Sequence, residues 1–179
     1  EGHDGHIIAK MNSLCDQGII AALYKASAAG VKIDLIVRGI CCLKVGIPQV
    51  SENITVRSIV GNFLEHSRIF YFENAGNYEV YMGSADWMPR SLDKRVEIVF
   101  PVLEDDLKEK ALHILKVELE DTVKARVMDT DGTYAKLDKR GKAVVNSQEV
   151  FCMEAKDAVP KENGADRGRV FVPAEPLEQ

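Results

Sequence analysis

The residues best suited to chemistry lie between positions 63 and 97. His66 stands two residues before Arg68 in a stretch that alternates like β-strands, and the turn Gly83-Ser84-Ala85-Asp86 follows a second such stretch. An imidazole can transfer a proton near neutral pH or attack phosphorus, and a guanidinium can bind two phosphate oxygens at once. A Gly-Ser turn adds hydroxyl and backbone N–H donors for the same oxygens. Together these residues indicate phosphoryl or phosphodiester chemistry.

Further cations extend this candidate site along the chain. Arg38 ends a predicted strand, and the polar loop 84–93 contains Arg90. We expect His66 to be catalytic, and we expect contacts to phosphate groups from Arg38, His66, Arg68, Ser84 and Arg90. A structural interpretation of each is also open. Arg68 and Arg95 could be cross-strand partners of Glu79 and Glu97. A tryptophan such as Trp87 is more often a packing residue than a platform for a base.

Composition limits the classes of function. A chain of 179 residues with 46% hydrophobic content can form one substantial core. The formal charge of -5 argues against a general nucleic-acid binder. Residues 38–95 carry seven basic and six acidic side chains, so an anion would bind in this central part. No apolar run approaches the roughly 20 residues of a membrane span, and the first residues lack the pattern of a signal peptide. We expect a cytoplasmic protein without a transmembrane segment. The four cysteines lack zinc-site spacing, and we predict no metal ligands.

The elements that must position these residues begin with a βαβ unit. A short apolar strand at 6–10 is followed by the capping-box pair Ser13 and Asp16, a helix, and a strand at 32–38. Such a unit implies a parallel pair of strands with a right-handed crossover. Arg38 would stand at the carboxyl end of the second strand, where open α/β sheets bind their ligands.

The later elements are predicted from the same kinds of pattern. His113 and the interleaved Lys and Glu positions of the long helix in this part are interpreted as its solvated face. The strand at 95–102 is apolar enough to lie near the centre of the sheet. The full set is a strand at 54–60, a hairpin over 67–83, a strand at 95–102, a helix at about 104–120, a hairpin around Asp131-Gly132, a short helix at 147–155 and a mobile tail at 157–179.

Two sets of motifs resemble known families. The HSR at 66–68, Glu73 and the GSADW at 83–87 are similar to the HxK, acid and GSxxN pattern of the phospholipase D superfamily, with Arg68 in place of its lysine and Glu73 in place of its aspartate. A longer resemblance, from about His6 to Ala155, is to the C-terminal catalytic domain of bacterial polyphosphate kinases. It rests on KMNSLCD, IDLIVRGICCL, SIVGNFLEHSRIFYF, VYMGSADWMPRSLDKRVE and DTVKARV.

This resemblance implies a fold and an activity. The fold would be α/β, with a phospholipase D-like mixed β-sheet flanked by helices, as a single domain over residues 1–156 followed by a flexible tail. The activity would be the reversible transfer of the terminal phosphate of ATP to inorganic polyphosphate, with ADP as the other nucleotide and with Mg²⁺. In this family the residues at the positions of Arg38 and His66 line the phosphate and nucleotide site.

The resemblance also implies that the chain holds only part of that site. The family's phosphorylated histidine belongs to a preceding domain, and no stretch here matches that domain or the parts that bind Mg²⁺ or stack the base. We therefore expect His66 to act as acid, base or electrostatic helper. We also expect Mg²⁺ ligands outside this chain, an inactive isolated fragment and a homo-oligomer when the protein is full length.

Two other interpretations stay open at this point. A phospholipase D-like phosphodiesterase fits the histidine motif, although that chemistry needs two copies, by duplication or dimerisation, and this chain has one. A module that binds polyphosphate or nucleotide without catalysis also fits the residues.

Overall fold

A mixed β-sheet forms the centre of the protein. The computed structural model describes residues 5–138 and 140–159. Its strands are His6–Met11 (β1), Lys32–Val37 (β2), Ile54–Ile59 (β3), Arg68–Phe72 (β4), Glu79–Gly83 (β5), Val99–Pro101 (β6), Ala125–Met128 (β7) and Tyr134–Lys136 (β8). In the described part they form one sheet in the order β6-β5-β4-β1-β2-β3-β7-β8. The β1–β2 and β2–β3 pairs are parallel and the other pairs antiparallel.

Helices cover both faces of this sheet. They are Gln17–Ala28 (α1), Pro89–Asp93 (α2), Asp105–Glu120 (α3) and Ser147–Ala158 (α4). Leu23 of α1 belongs to the same buried cluster as Leu35 of β2, whereas Ile36 faces the cluster that contains Leu115 of α3. Because side chains alternate along a strand, β2 packs against a buried apolar cluster on each of its faces. The predicted α/β fold, a mixed sheet flanked by helices, is confirmed.

Two local predictions near the site were wrong. The helix α1 is capped by Asp16, whose carboxylate accepts the N–H of Ile19, and Ser13 lies outside the helix. The buried backbone of Ser13 instead donates to Asp86 at 3.3 Å, so Ser13 takes no part in a capping box. The loop 84–93 contains α2, which has Pro89 in its first turn, a position that tolerates the missing N–H of proline.

The strand β6 also differs from its prediction, because it lies at the edge of the sheet. Its Phe100 is 48% exposed. The preceding segment passes so close to β5 that a Cβ on Gly83 would lie 2.2 Å from the carbonyl oxygen of Ile98. Only glycine fits there without a shift of the backbone. The apolar composition of this segment therefore predicted a strand correctly, but not the position of that strand within the sheet.

The C-terminal boundary of the fold is later than predicted. The helix α4 continues through Ala158, so it includes Asp157, the first residue of the predicted tail. Residues 160–179 of that tail lie outside the described residues. Within the described part, no helix combines the length and the hydrophobicity needed to cross a bilayer.

Asp121 connects the elements of the C-terminal half. Its carboxylate accepts hydrogen bonds of 2.7–3.0 Å from the N–H groups of Val123, Lys124 and Ala125, and from the N–H and hydroxyl of Ser147. Burial would raise the pKa of Asp121, but these bonds, led by those of Ser147, hold it below its usual value. The start of α4 is therefore attached to the end of α3 and the start of β7.

We predict that Asp121→Ala lowers the free energy of unfolding by about 3 kcal/mol, because several buried donors lose a charged acceptor. Urea denaturation followed by circular dichroism measures this change. Asp138→Ala is the matched control, since Asp138 is exposed and pairs with exposed Arg140, and it should change stability little. Similar losses in the two variants would contradict the role assigned to Asp121.

Candidate phosphate site

One edge of the sheet collects the segments that carry the predicted site. The strands β1, β2 and β5 run in the same direction, and β4 runs antiparallel to β1 and β5. The carboxyl ends of β1, β2 and β5 therefore lie on the same side of the sheet as the amino end of β4. Arg38 follows β2, Arg68 begins β4, and Ser84 to Asp86 follow β5.

Asp86 is the centre of this edge. Its carboxylate forms a two-point ion pair with Arg68, at 3.1 Å from Nε to Oδ1 and 3.0 Å from Nη2 to Oδ2. It also accepts the N–H of Asn12 at 2.7 Å and that of Ser13 at 3.3 Å. Asp86 and Arg68 are only 5% and 9% exposed. Burial would raise the pKa of Asp86, but Arg68 and the Asn12 N–H hold it below its usual value.

Asn12 extends this network to Arg38. The guanidinium of Arg38 donates from Nε to Asn12 Oδ1 at 2.9 Å, and its Nη2 donates to the same oxygen. The Asn12 amide in turn donates to the hydroxyl of Ser13 at 3.1 Å. Arg38 is half-buried, and these contacts are to a neutral amide. The guanidinium is thus oriented without its charge being neutralised by that partner.

His66 lies in the loop before β4, and its side chain is exposed. Its carbonyl accepts a hydrogen bond from Arg68 Nη1 at 2.6 Å. Earlier in the loop, the side chain of Gln148 in α4 accepts the N–H of Phe63 at 3.0 Å and donates to its carbonyl at 2.9 Å. The loop is therefore fixed on two sides, while the imidazole stays accessible.

Trp87 packs against the protein. Its indole stacks on Phe70 with ring centroids 5.1 Å apart and planes 10° from parallel. Its carbonyl accepts the N–H groups of Cys15 at 2.8 Å and Asp16 at 3.0 Å. These contacts hold the Asp86 turn against the segment that leads into α1.

The structure joins three of the five predicted contact residues in one network. Arg38, His66 and Arg68 are linked through Asn12 and Asp86. Arg68 donates from all three guanidinium nitrogens within the protein, to Asp86 and to the His66 carbonyl, which favours a positioning role.

The other two predicted residues lie apart from that network. The hydroxyl of Ser84 donates to Glu97 and accepts the N–H of Ile98 at 3.1 Å. Arg90 is exposed on α2. The structure therefore brings neither of them into contact with Asp86.

Glu73, which matches the acid of the phospholipase D pattern, lies away from His66. His66 precedes β4 and Glu73 follows it, so the two are separated by a five-residue strand, which spans roughly 16 Å. The N–H of Glu73 bonds to the carbonyl of His6 at 2.9 Å, at the opposite edge of the sheet. The acid at the site is Asp86. Asn12 was missed because one amide after a strand forms no distinctive sequence pattern.

A protein metal site is not evident here. Among residues 5–138 and 140–159, no three His, Cys, Asp or Glu side chains are grouped so that they could hold a metal ion. The described residues therefore do not fit a Mg²⁺ site built from protein ligands alone.

Fold and site together define an α/β domain with an arginine and a histidine beside the carboxyl ends of the parallel strands of a mixed sheet. The family model described as polyphosphate kinase C-terminal domain 2 matches residues 1–148, and the chain belongs to this family.

Similar proteins are several times longer than this chain. It is 50% identical over 163 residues to a polyphosphate kinase of Lactiplantibacillus plantarum, covering 91% of this chain and 23% of that protein. It is 56% identical over 153 residues to one of Prosthecochloris aestuarii, covering 85% and 21%. The crystal structure of polyphosphate kinase from Porphyromonas gingivalis is similar with a TM-score of 0.83 and 43% identity, covering 87% of this chain and 24% of that one. The chain thus spans less than a quarter of these relatives.

We predict that Asp86→Asn lowers the free energy of unfolding by about 3 kcal/mol at pH 7, because it leaves the buried guanidinium of Arg68 without its charged partner. The lowered pKa of Asp86 means that the wild-type protein loses this stabilisation as pH falls below about 4. The difference between the two proteins should therefore shrink in acid.

Urea denaturation at a series of pH values measures both effects, and Asp93→Asn on exposed α2 is the control. Equal stability of wild type and Asp86→Asn at pH 7 would contradict the role of the ion pair. A difference that is independent of pH would contradict its electrostatic origin.

Proposed function

We propose that this chain is the domain of a polyphosphate kinase that holds the phosphate groups of ATP and of inorganic polyphosphate. The full-length protein would reversibly transfer the terminal phosphate of ATP to the polyphosphate chain, with ADP as the other nucleotide. One observation carries the proposal. Arg38 and the backbone carbonyl of His66 belong to one hydrogen-bonded network beside the carboxyl ends of β1, β2 and β5, where open α/β sheets bind ligands, in a chain whose relatives are named polyphosphate kinases.

Phosphoryl transfer depends mainly on positioning and on stabilising negative charge at the phosphate oxygens. Arg38 suits this role because Asn12 orients its guanidinium and leaves its charge available for oxygens. The exposed His66 would hold or deliver a proton at the phosphate through its ring nitrogens. Arg68 and Asp86 would stay within the protein and keep the His66 loop in place.

Ser84 and Arg90 have less direct proposed roles. Arg90, exposed on α2, would contact a polyphosphate chain that extends beyond Arg38 and His66. Ser84 would have to exchange its bond with Glu97 for one with a phosphate oxygen.

The remaining parts of the reaction are assigned to the rest of the full-length protein. We propose that the phosphorylated histidine and the protein ligands of Mg²⁺ lie in the preceding domain. Homo-oligomer formation stays a prediction from the resemblance, and a cytoplasmic location stays a prediction from the sequence pattern.

The phosphodiesterase interpretation loses support from the site geometry. The residue that replaces the lysine of that motif, Arg68, is bound to Asp86, and Glu73 lies at the far edge of the sheet. The assay of ATP-dependent polyphosphate synthesis described below distinguishes a kinase domain from a binding module without catalysis.

We predict that the chain binds inorganic tripolyphosphate and that binding weakens between 50 and about 200 mM salt, as a charge-dominated contact must. Arg38→Gln should weaken the affinity about tenfold or more, since charge-assisted hydrogen bonds are lost. Isothermal titration calorimetry measures both, with Arg126→Gln on the exposed side of β7 as the control. Equal affinities of the two variants would contradict the role of Arg38.

In the full-length protein that carries this chain, His66→Ala should remove most ATP-dependent polyphosphate synthesis. His113→Ala is the matched control, because His113 is exposed and bonds to Glu154 on the helical layer. Near-normal synthesis by His66→Ala would overturn its catalytic role. Stable labelling of the isolated chain by radiolabelled ATP would contradict a phosphocarrier histidine elsewhere.

A further inference from the structure

A second charged cluster lies beneath the loop that carries His66. Lys10 of β1 is only 2% exposed, and its ammonium is 3.1 Å from Glu65 Oε2 and 3.4 Å from Glu118 Oε1. Glu65 is the residue immediately before His66 in the chain. The same strand that contacts Asp86 through Asn12 thus reaches the histidine loop a second time through Lys10.

Glu65 is bonded on both of its oxygens. While Oε2 pairs with Lys10, Oε1 accepts a hydrogen bond of 2.7 Å from Gln148. Burial would raise the pKa of Glu65, but the Gln148 bond and the Lys10 ammonium hold it below its usual value. Glu65 is therefore ionised at neutral pH, and its carboxylate is fixed between β1 and α4.

Glu118 is the second acid in the cluster, and it behaves differently. It is 1% exposed, and among the described residues its Oε2 has no hydrogen-bond partner. Burial raises the pKa of Glu118 to about 8; the Lys10 ammonium opposes this shift, and the Glu65 carboxylate adds to it. At neutral pH Glu118 is mostly a neutral acid, so the charge of Lys10 is directed to Glu65.

The surroundings of Glu118 contain few other charges. The cavity on its outer side, of about 510 Å³, is lined by Glu65 and Ser67 of the histidine loop and by apolar residues of α3 and α4. The titratable groups that also line it are Lys110 and His113 of α3 and Glu154 of α4. His113 pairs with Glu154 at 2.9 Å and the Lys110 ammonium lies 3.8 Å from Asp106, so among the described residues Lys10 and Glu65 are the charged groups that act on the pKa of Glu118.

Stability alone does not explain a buried ammonium in a central strand. An apolar side chain of similar volume often serves stability as well as a buried ion pair does, because desolvation offsets the attraction. The pair does fix one thing that an apolar residue would not. It holds Glu65, the residue directly before His66, whereas Arg68 binds the carbonyl of His66 itself.

We propose that Lys10 is a positioning residue for His66 and acts through its ion pair with Glu65. The inference rests on the proposed function, in which His66 acts on the phosphate being transferred. Lys10 is buried and does not reach the substrate, so its loss should misplace the imidazole and leave the phosphate contacts of Arg38 intact. The consequence is a lower kcat with little change in KM.

The test uses steady-state kinetics of the full-length protein. Lys10→Met should lower kcat for polyphosphate synthesis about tenfold to hundredfold, the range expected for a displaced catalytic group, with KM for ATP changed less than about twofold. Lys10→Arg should restore part of kcat, because it keeps the charge. Glu65→Gln, which keeps the size of the side chain and removes the carboxylate that pairs with Lys10, should lower kcat in the same way and provides the result if Lys10→Met does not fold.

A pH profile separates positioning from a general loss of structure. In the wild type, kcat should fall as pH rises through about 8, because ionised Glu118 then competes with Glu65 for Lys10. Glu118→Gln should retain kcat to higher pH. Profiles that coincide in the two proteins would contradict this part of the inference.

The outcomes also distinguish this inference from the proposed function. Full activity of His66→Ala would overturn the function of the site itself. Inactive His66→Ala together with wild-type kcat in a folded Lys10→Met or in Glu65→Gln would overturn the role of Lys10 alone.

Discussion

The candidate site depends on one buried ion pair, between Arg68 at the start of β4 and Asp86 after β5. Two charges removed from water cost several kcal/mol each, and this cost is offset only when the geometry is good and the remaining polar atoms have partners. Here Asp86 also accepts two N–H groups from the end of β1, and Arg68 also donates to the carbonyl of His66. The pair therefore connects the segment after β1, the turn after β5 and the loop before β4. These connections fix the backbone of His66, which lies in that loop.

The same ion pair gives Arg68 a different role from Arg38, although both are candidate phosphate ligands in the sequence. Arg68 follows the histidine closely and matches a motif position, but its guanidinium is buried and bound to Asp86 on two atoms. Arg38 is more remote along the chain, yet it is half-buried and bound to the neutral amide of Asn12. A guanidinium that is oriented but not neutralised is better suited to bind phosphate. The segment Asn12-Ser13, directly after β1, takes part in both arrangements, because the Asn12 side chain binds Arg38 and the N–H groups of both residues donate to Asp86.

Sequence patterns predicted the elements that have strong local periodicity. The parallel βαβ unit, the hairpin of β4 and β5, and α3 all have such patterns, and their positions place Arg38 directly after β2 and His66 shortly before β4. Position within the sheet was less predictable, because pairing with distant strands decides it. The apolar strand β6 therefore lies at an edge, and Glu118, on a helix face that resembles a solvated one, is buried against Lys10.

The choice among chemically similar residues also depended on distant contacts. Ser13 and Asp16 are both good helix-capping residues, and the bond from the Ser13 backbone to Asp86 leaves Asp16 as the cap. Glu73 and Asp86 are both acids that follow strands, and strand direction decides which of them is near His66. The bonds from the N–H groups of Asn12 and Ser13 to Asp86 join residues 74 and 73 positions apart, so no local pattern contains them.

The central claim is that Arg38 and His66 bind phosphate together while Arg68 stays within the protein. It is tested most directly by NMR titration of the isotope-labelled chain with inorganic tripolyphosphate, followed at the arginine side-chain N–H and histidine ring signals. The account predicts that the Arg38 and His66 signals shift together and saturate at the same ligand concentration, with a much smaller change at Arg68. Unchanged Arg38 and His66 signals, with the ligand bound at other basic residues, would contradict it.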